Sequence, residues 1–514
     1  MQIAKKQKFQ NILFKKILTT SIADNFYSFA IIGSGPAAFM TAKVLQKKFQ
    51  DDCSIHMFEK QFSPFGLLRY GVAPDHIPIK NVQNELAEVA EQDNFYFYGN
   101  VEIGKDVKIE EIKDKFSGII YAYGAETDKK LNIKGEREYE QTQVFGAQTI
   151  VKWYNKHPDF RNFKLQLSKI KNVAIIGNGN VAIDIARILS KNTQELEQTE
   201  ISENCLEQLK QSSISNIHII GRRGVVQSAF NLKEIRQFAR VDGVKLYMWE
   251  KDFDLNEASK QESTLIKGNF DATLRGNSRK LEFLKKSMNL IKDEENYQQI
   301  LKDDSHKKII FNFCQGPVEI QKENDQQKQQ VDQLILKLQN MKLEGEAFKQ
   351  TCSPIENSFM NLKTDLIIRS IGYKSQNINQ NLNWNQKSNI LVTDPDTGTL
   401  IDIQNQLTSN EFAAGWIKTG PLGVLESTYQ SSIDSCTKLF EKIDKNEIEE
   451  KEDPHDDLLD YLPKRYTSWE TWKLLDEWEI NEGKKVNKIR SKIDNQEQVD
   501  KILYEIYPWT CNKA

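Results

Sequence analysis

The chain has 514 residues, with 70 basic and 73 acidic side chains and a formal net charge of −3. This length is sufficient for several domains with buried cores. The balanced charge argues against a nucleic-acid-binding protein, because such proteins are typically strongly basic. The sequence contains no run of about 18 consecutive apolar residues, so it predicts no transmembrane helix.

The N-terminal segment is basic and amphipathic. The first 23 residues contain five lysines among apolar side chains, no arginine, and no acidic residue before Asp24. Thr19, Thr20 and Ser21 follow the apolar positions. This pattern resembles a mitochondrial targeting segment, which we place at residues 1–25. An ordinary N-terminal tail is the alternative.

The first glycine motif follows the apolar run that begins at Phe29 and precedes a helical pattern. Gly33 supplies the tight turn, and Gly35 lets the backbone approach a pyrophosphate at the start of the new helix. Ala38 occupies the third glycine position and still permits close contact between helix and strand. Glu59 ends the next predicted strand, where a carboxylate accepts hydrogen bonds from an adenosine ribose. This order of features predicts a dinucleotide site.

A second glycine unit begins after residue 172, with Gly177, Gly179 and Ala182 in the same three places. Its next predicted strand ends in Arg222 and Arg223 rather than in a carboxylate. Guanidinium groups suit the extra phosphate of NADP, although a solvated surface pair is the alternative. One carboxylate-type site and one arginine-type site are what an enzyme requires to pass hydride between NADPH and FAD.

The six cysteines are scattered, and no two form a CxxC or another close pair. This spacing argues against a disulfide framework, a redox-active dithiol and a sequence-local zinc or iron–sulfur site. We therefore expect reduced thiols and no metal centre. The cysteines are Cys53, Cys205, Cys314, Cys352, Cys436 and Cys511.

Several longer segments are together more specific than either glycine motif. They are residues 64–76 (PFGLLRYGVAPDH), 98–101 (YGNV), 177–189 (GNGNVAIDIARIL), 221–224 (GRRG) with 233–236 (KEIR), 370–375 (SIGYKS) and 415–418 (GWIK). With these segments, the chain from about Phe29 to about Leu503 resembles the adrenodoxin reductase family of mitochondrial NADPH:ferredoxin reductases.

The resemblance implies an α/β fold with two Rossmann-like, three-layer dinucleotide-binding domains. The NADPH domain, residues 128–362, would be inserted into a discontinuous FAD domain formed by residues 26–127 and 363–514. The implied activity takes hydride from NADPH onto FAD and passes single electrons to a [2Fe–2S] ferredoxin. The implied location is the mitochondrial matrix, with peripheral contact to the inner membrane and membership of a larger mitochondrial assembly as further expectations.

The resemblance also implies the residues of the two cofactor sites. For FAD these are Gly33, Gly35, Pro36, Ala38, Glu59, Gly66, Leu67, Val101, Trp416, Gly423 and Val424. For NADP they are Gly179, Asn180, Val181, Arg222, Arg223, Glu234 and Gly423. His76 and Asp184 are expected near the flavin and the electron path, and Glu234 near the nicotinamide. Structural roles for His76 and Asp184, in capping, pairing or backbone hydrogen bonds, are equally compatible with the sequence.

A basic cluster in the NADPH domain is the ferredoxin-docking surface that the resemblance implies. Six or seven residues separate Arg279 from Lys285 and Lys286, about two helical turns, so a helix would gather them on one side. An ordinary solvated face is the alternative. The predicted docking residues are Arg236, Arg275, Arg279, Lys280, Lys285 and Lys286.

Four features depart from the family pattern. Ala38 replaces a glycine, Thr419 replaces a basic residue, Leu422 replaces a small polar residue near the flavin, and residues 314–351 match poorly. A structural subunit that has lost turnover therefore stays open as an alternative. A disulfide reductase is disfavoured by the missing CxxC. The NADPH-oxidising subunit of an amidotransferase-type enzyme is disfavoured because the chain lacks an N-terminal cysteine cluster.

Overall fold

The computed structural model describes residues 25–264, 272–323, 333–423 and 425–506. Val424 and all but the last residue of the expected targeting segment lie outside these ranges. Among the helices that the ranges contain, none is both long and apolar enough to cross a membrane.

The first sheet has six strands and carries the first glycine motif. Its strands are parallel except at one edge, where Thr399–Ile401 runs antiparallel to its neighbour. The helix Pro36–Phe49 covers one face, and Ser432 Oγ of the helix Leu425–Asp444 donates to Ala37 O at 3.1 Å. The strand order is Thr399–Ile401, Leu407–Ala413, Gly118–Tyr121, Tyr27–Ile32, Cys53–Glu59 and Phe95–Gly99.

The second sheet has seven strands, all parallel, and carries the second glycine motif. Two parallel sheets, each with helices and a glycine turn, confirm the predicted α/β class with two Rossmann-like units. The strand order is Asn289–Ile291, Val244–Trp249, Lys307–Asn312, Asn216–Ile220, Asn172–Ile176, Leu366–Arg369 and Val144–Gly146.

The chain leaves the first sheet, builds the second and then returns. The outgoing strand Thr127–Asp128 pairs with the returning strand Tyr373–Lys374, so the two crossings lie side by side. The strand Leu366–Arg369 pairs within the second sheet. The return therefore follows Arg369 rather than falling between residues 362 and 363, because sheet pairing holds this strand in the inserted unit.

A three-stranded antiparallel sheet covers one face of the second sheet. Its strands are Gln315–Lys322, Leu334–Glu344 and Thr351–Thr364. Leu334, Leu336 and Leu338 alternate along the middle strand and are fully buried with aliphatic residues of the second sheet. The described parts of the segment 314–351, which matches the family poorly, therefore contribute side chains to a packed core.

The remaining elements are short connections and outer helices. The short strands Trp384–Asn385 and Ile390–Leu391 pair with each other. The remaining helices are Leu67–Tyr70, Ile77–Lys80, Val82–Ala90, Ile109–Ile112, Ala147–Tyr154, Asn180–Ser190, Thr193–Glu197, Glu203–Lys210, Leu232–Phe238, Glu257–Ser263, Ala272–Ser287, Glu294–Lys302, Trp416–Thr419, His455–Leu459, Trp469–Lys485 and Gln496–Ile506, with short 3₁₀ turns at 113–115, 158–160, 167–169 and 250–253.

Buried ion pairs join the C-terminal segment to both sheet units. Arg69 Nη1 donates to Glu479 Oε2 at 2.9 Å, and both side chains are completely buried. Lys80 Nζ and Lys492 Nζ both lie against Glu200 Oε1, at 2.6 and 2.7 Å. Burial opposes the charge on Glu200, but Lys492 and Lys80 lower its pKa to about 2. These pairs hold the loop after Glu59 against the inserted unit.

We expect Glu479→Gln to lower the free energy of unfolding in urea by about 3–5 kcal/mol, because Arg69 is left as an uncompensated buried charge. Asp500→Asn is the matched control, since Asp500 pairs with Arg465 at 2.8 Å on the surface. The control substitution should lower the free energy of unfolding by less than about 1 kcal/mol. Equal small losses in both variants would contradict a structural role for the buried pair.

Candidate functional site

A cleft of about 360 Å³ lies between the two sheet units. The first glycine turn, the end of the strand Cys53–Glu59 and the loop after it line one side. The helix Ala147–Tyr154, Val181 and Tyr373 line the other side. Parallel sheets bind ligands outside the carboxyl ends of their strands, which is where this cleft lies.

The two glycines of the first turn have different constraints. Gly33 has a φ of +102°, and a Cβ there would lie 2.6 Å from the Tyr123 Cα, so only glycine fits. A Cβ on Gly35 would meet no atom within 4 Å. No side chain caps the helix that begins after Gly35, so its first N–H groups are available to an anion.

Glu59 is fixed at the edge of the cleft by hydrogen bonds. Its Oε2 accepts from the Ser34 backbone N at 3.1 Å and from Ser34 Oγ at 2.7 Å, and its Oε1 accepts from Gln61 N at 2.9 Å. Burial raises the pKa of Glu59, while these hydrogen bonds favour the carboxylate. A carboxylate oriented in this way suits the hydroxyls of an adenosine ribose.

The cleft fits the FAD that the first motif predicts. The Tyr123 hydroxyl is buried without a hydrogen-bond partner among the described residues, and a Cβ on Gly124 would meet open space. These are features of a cradle shaped around a bound group. The predicted FAD residues that line the cleft are Gly33, Gly35, Pro36, Glu59, Gly66, Leu67, Val101, Trp416 and Gly423.

Ala38 and Leu422, two of the family departures, do not line the cleft. Ala38 is completely buried in the core between its helix and the first sheet, so its contribution is packing rather than contact with a ligand. Leu422 is 74% exposed. Thr419, the third departure, donates its hydroxyl to Gly415 O at 3.2 Å. None of the three obstructs the site.

The second glycine turn repeats the geometry of the first. Gly177 has a φ of +121°, and a Cβ there would lie 2.0 Å from Ser370 O. A Cβ on Gly179 would meet nothing within 4 Å, and no side chain caps the helix Asn180–Ser190. Val181, in the first turn of this helix, lines the same cleft as the first site. The two dinucleotide sites therefore open towards each other.

Arg222 and Arg223 follow directly after the strand Asn216–Ile220. Both are exposed, and neither guanidinium forms an ion pair with a residue that the structure describes. The nearby Asn178 Nδ2 is buried without a partner in the described ranges. Asn180 accepts a hydrogen bond from Asn231 N at 2.8 Å through its Oδ1. Two unpaired guanidinium groups beside a glycine turn form a suitable phosphate site.

His76, Asp184 and Glu234 converge at the junction of the two units. His76 Nε2 lies 3.3 Å from Glu234 Oε2 and 3.8 Å from Asp184 Oδ1. Arg187 Nη2 lies 2.8 Å from His76 Nε2 and donates to Asp184 Oδ1 at 2.7 Å, and Arg187 also pairs with Asp75. The three predicted residues thus form one cluster, and sequence reasoning missed Arg187 and Asp75.

This junction cluster is suited to holding a proton. Burial raises the pKa of Glu234, and the charge of Asp184 raises it further, while His76 and Arg187 oppose the rise. Gln237 Oε1 lies 3.0 Å from His76 Nε2 and helps to orient the ring. His76 and Glu234 therefore lie close enough to share a proton.

The predicted docking residues do not all lie on the surface. Arg279, Lys285 and Lys286 are exposed on the helix Ala272–Ser287, and Arg236 lies 5.5 Å from the ring of Phe283. Arg275 is half-buried on the same helix.

The prediction of Lys280 as a docking residue is wrong. Its Nζ donates to Ser228 O at 2.7 Å, and its side chain is buried against Phe230. Burial lowers the pKa of Lys280 to about 8. The residue therefore anchors its helix to the loop at Ser228 instead of facing a partner.

Comparisons with known proteins agree with this geometry. Residues 27–246 match the model of the family described as pyridine nucleotide-disulphide oxidoreductase. The chain is 30% identical over 480 residues to the probable mitochondrial NADPH:adrenodoxin oxidoreductase of Schizosaccharomyces pombe, covering 92% of this chain and 95% of that protein. It is 31% identical over 473 residues to the NADPH:adrenodoxin oxidoreductase of Arabidopsis thaliana, covering 90% and 92%.

A solved bacterial structure is similar over nearly the whole chain. The FprA protein of Mycobacterium tuberculosis in complex with NADPH superposes with a TM-score of 0.79 and 28% identity, covering 93% of this chain and 99% of that chain. The sequence of the NADPH-ferredoxin reductase FprA is 31% identical over 494 residues, covering 91% of this chain and 97% of that protein.

We expect Gly35→Ala to weaken binding of the flavin dinucleotide about tenfold or more, because a methyl group would occupy the open space above the helix N-terminus. Gly276→Ala is the control, since its Cβ also meets open space but lies on the helix Ala272–Ser287, outside the cleft. Bound flavin per chain is measured by absorbance after desalting. Equal flavin content in both variants would contradict the assignment.

Proposed function

We propose that this FAD-dependent NADPH oxidoreductase delivers electrons to a [2Fe–2S] ferredoxin. The premise is that the chain belongs to the family of NADPH:adrenodoxin oxidoreductases and NADPH-ferredoxin reductases. One observation carries the proposal most directly. The first glycine turn lines the cleft beside Glu59, and Val181, in the first turn of the helix that follows the second glycine turn, lines the same cleft. When bound, FAD accepts the two electrons of a hydride from NADPH and releases them singly.

The first-sheet residues bind and shield the flavin dinucleotide in this proposal. The helix N-terminus at Gly35 receives the diphosphate, and Glu59 accepts hydrogen bonds from the ribose hydroxyls. Leu67, Val101 and Trp416 supply apolar surface that excludes water from the cleft.

The second-sheet residues bind NADPH. Gly179, Asn180 and Val181 receive its diphosphate at the second helix N-terminus, while Arg222 and Arg223 bind the 2′-phosphate. We also assign Gly423 to the meeting point of the two cofactors, since it lines the shared cleft. Val424 stays a predicted flavin residue outside the described ranges.

The junction cluster of His76, Asp184 and Glu234 acts beside the nicotinamide. The Glu234 carboxylate lies 3.3 Å from the His76 imidazole, and Arg187 donates to Asp184 and so compensates negative charge in the cluster. Because the cluster joins the loop of the first unit to two helices of the second, it also fixes how the two cofactors face each other.

The domain division follows from the same assignment. FAD belongs to the unit formed by residues 26–127 and the chain after Arg369, and NADPH belongs to the inserted unit. Sheet pairing supports this division, in which the returning chain crosses at Tyr373–Lys374.

Ferredoxin docks on exposed basic residues of the inserted unit. Arg279 and Lys285 are the strongest candidates, since both are exposed, while Lys286 is paired with Glu282 at 2.7 Å. Arg236 and Arg275 belong to the same surface. An acidic ferredoxin would be steered to this surface by long-range attraction.

The names of the fungal and plant relatives and the basic N-terminal segment support a mitochondrial location, which we place in the matrix. Contact with the inner membrane and membership of a larger assembly stay predictions. The alternative of a structural subunit loses its main support, because neither Ala38 nor Leu422 obstructs the cleft.

We expect the double variant Arg222→Ala/Arg223→Ala to weaken NADPH binding at least tenfold and to leave NADH binding almost unchanged. The reason is that each charge-assisted contact to the 2′-phosphate, which NADH lacks, is worth about 1.5–3 kcal/mol. Arg240→Ala, at another exposed arginine of the same unit, is the control. The readout is the KM for each nucleotide with a small dye as acceptor. An equal loss for both nucleotides would refute the phosphate assignment.

Reversing Arg279 and Lys285 to glutamate should slow ferredoxin reduction while leaving reduction of a small neutral dye unchanged, because only the acidic protein senses this charge. The effect should shrink with added salt, since the Debye length is about 8 Å at physiological ionic strength and shorter above it. Reversal of the exposed Lys387 and Lys464 on the other unit is the control. Equal slowing with both acceptors, or no dependence on salt, points to docking elsewhere.

A further inference from the structure

The inserted unit contributes one helix to the flavin side of the cleft. The helix Ala147–Tyr154 follows the strand Val144–Gly146 of the second sheet. Gln148, Val151 and Lys152 of this helix nevertheless line the same cleft as the first glycine turn. Gln148 Nε2 donates to Ala125 O at 3.0 Å, which fixes the helix against the end of the first sheet.

Lys152 is the one lysine of this lining that forms no hydrogen bond or ion pair with a described residue. Lys60 pairs with Glu126, and Glu59 is occupied by Ser34 and Gln61. The Lys152 ammonium forms no hydrogen bond or ion pair in the described ranges, and its Nζ lies 5.8 Å from the ring centroid of Phe160. The carboxylate, lysine and histidine residues of the lining are Glu59, Lys60, Glu102, Glu126, Lys152 and His157.

The surroundings of Lys152 disfavour its charge until an anion is present. Burial is the largest effect and lowers the pKa of Lys152, and Lys60 lowers it further, while the charges of Glu126, Asp159 and Asp128 oppose the shift. His157 is neutral, because burial and then the neighbouring lysines lower its pKa to about 2, so it neither repels nor compensates the Lys152 ammonium. A partly buried ammonium without a hydrogen-bonded counter-charge is unfavourable, so a bound anion would stabilise it.

We propose that Lys152 binds the diphosphate of FAD, so that the inserted unit supplies the cationic contact to the cofactor of the other unit. The diphosphate is the anionic group of oxidised FAD, whose ring system is neutral. The glycine turn offers it only backbone N–H groups, and Lys60 is already paired. The inference rests on FAD being the cofactor, and it predicts that FAD binding links the two units.

The test is a titration of the flavin-free protein with FAD, followed by the loss of flavin fluorescence at increasing KCl concentrations. Lys152→Gln should raise the FAD dissociation constant about tenfold or more and make it less sensitive to salt, because one charge-assisted contact is lost. Lys152→Arg should stay within about threefold of the wild type. Lys164→Gln, at an exposed lysine of the same unit, is the matched control and should have no effect.

Two results would overturn the proposal. One is an FAD affinity of the wild-type protein that does not depend on salt. This measurement does not require any variant to fold. The other is a Lys152→Gln protein that binds FAD normally. If the midpoint potential of its bound flavin is also shifted, the lysine lies at the flavin ring instead. Failure of the wild-type protein to bind FAD would instead contradict the cofactor assignment itself.

Discussion

The site depends on close contact between each glycine turn and the end of a neighbouring parallel strand. Gly33 lies against Tyr123, which follows the strand Gly118–Tyr121, and Gly177 lies against Ser370, which follows Leu366–Arg369. No side chain fits in either contact. Each turn is therefore held so that the next glycine faces open space above a helix N-terminus, and both helices begin at the same cleft.

The charges beside these turns separate two otherwise similar sites. Glu59 is held by three hydrogen bonds at the first turn, whereas Arg222 and Arg223 are exposed and unpaired with described residues at the second. A carboxylate repels the 2′-phosphate of NADP and arginines attract it, so each cofactor has one suitable site. The junction cluster and the buried pairs around Glu200 then fix the geometry between the two units.

The sequence predicted the parts of the site that depend on local patterns. Both glycine turns, Glu59 and the arginine pair lie at fixed distances from strand ends, and such spacing is visible without a fold. Arg187 and Asp75 were missed because their pairing joins residues far apart in the chain. Lys280 was assigned wrongly because helical spacing shows which residues share a face, but not that Ser228 and Phe230 cover this one. Lys152 carries no motif, and only the packing of its helix brings it to the cleft.

Anaerobic titration of the purified protein with NADPH, in the presence of a [2Fe–2S] ferredoxin, tests the account most directly. The account predicts that NADPH bleaches the absorption of the bound flavin and that two ferredoxin molecules are reduced for each NADPH consumed, because a hydride carries two electrons. A protein that binds flavin but shows no bleaching with NADPH, or whose reduced flavin transfers no electrons to ferredoxin, would contradict it.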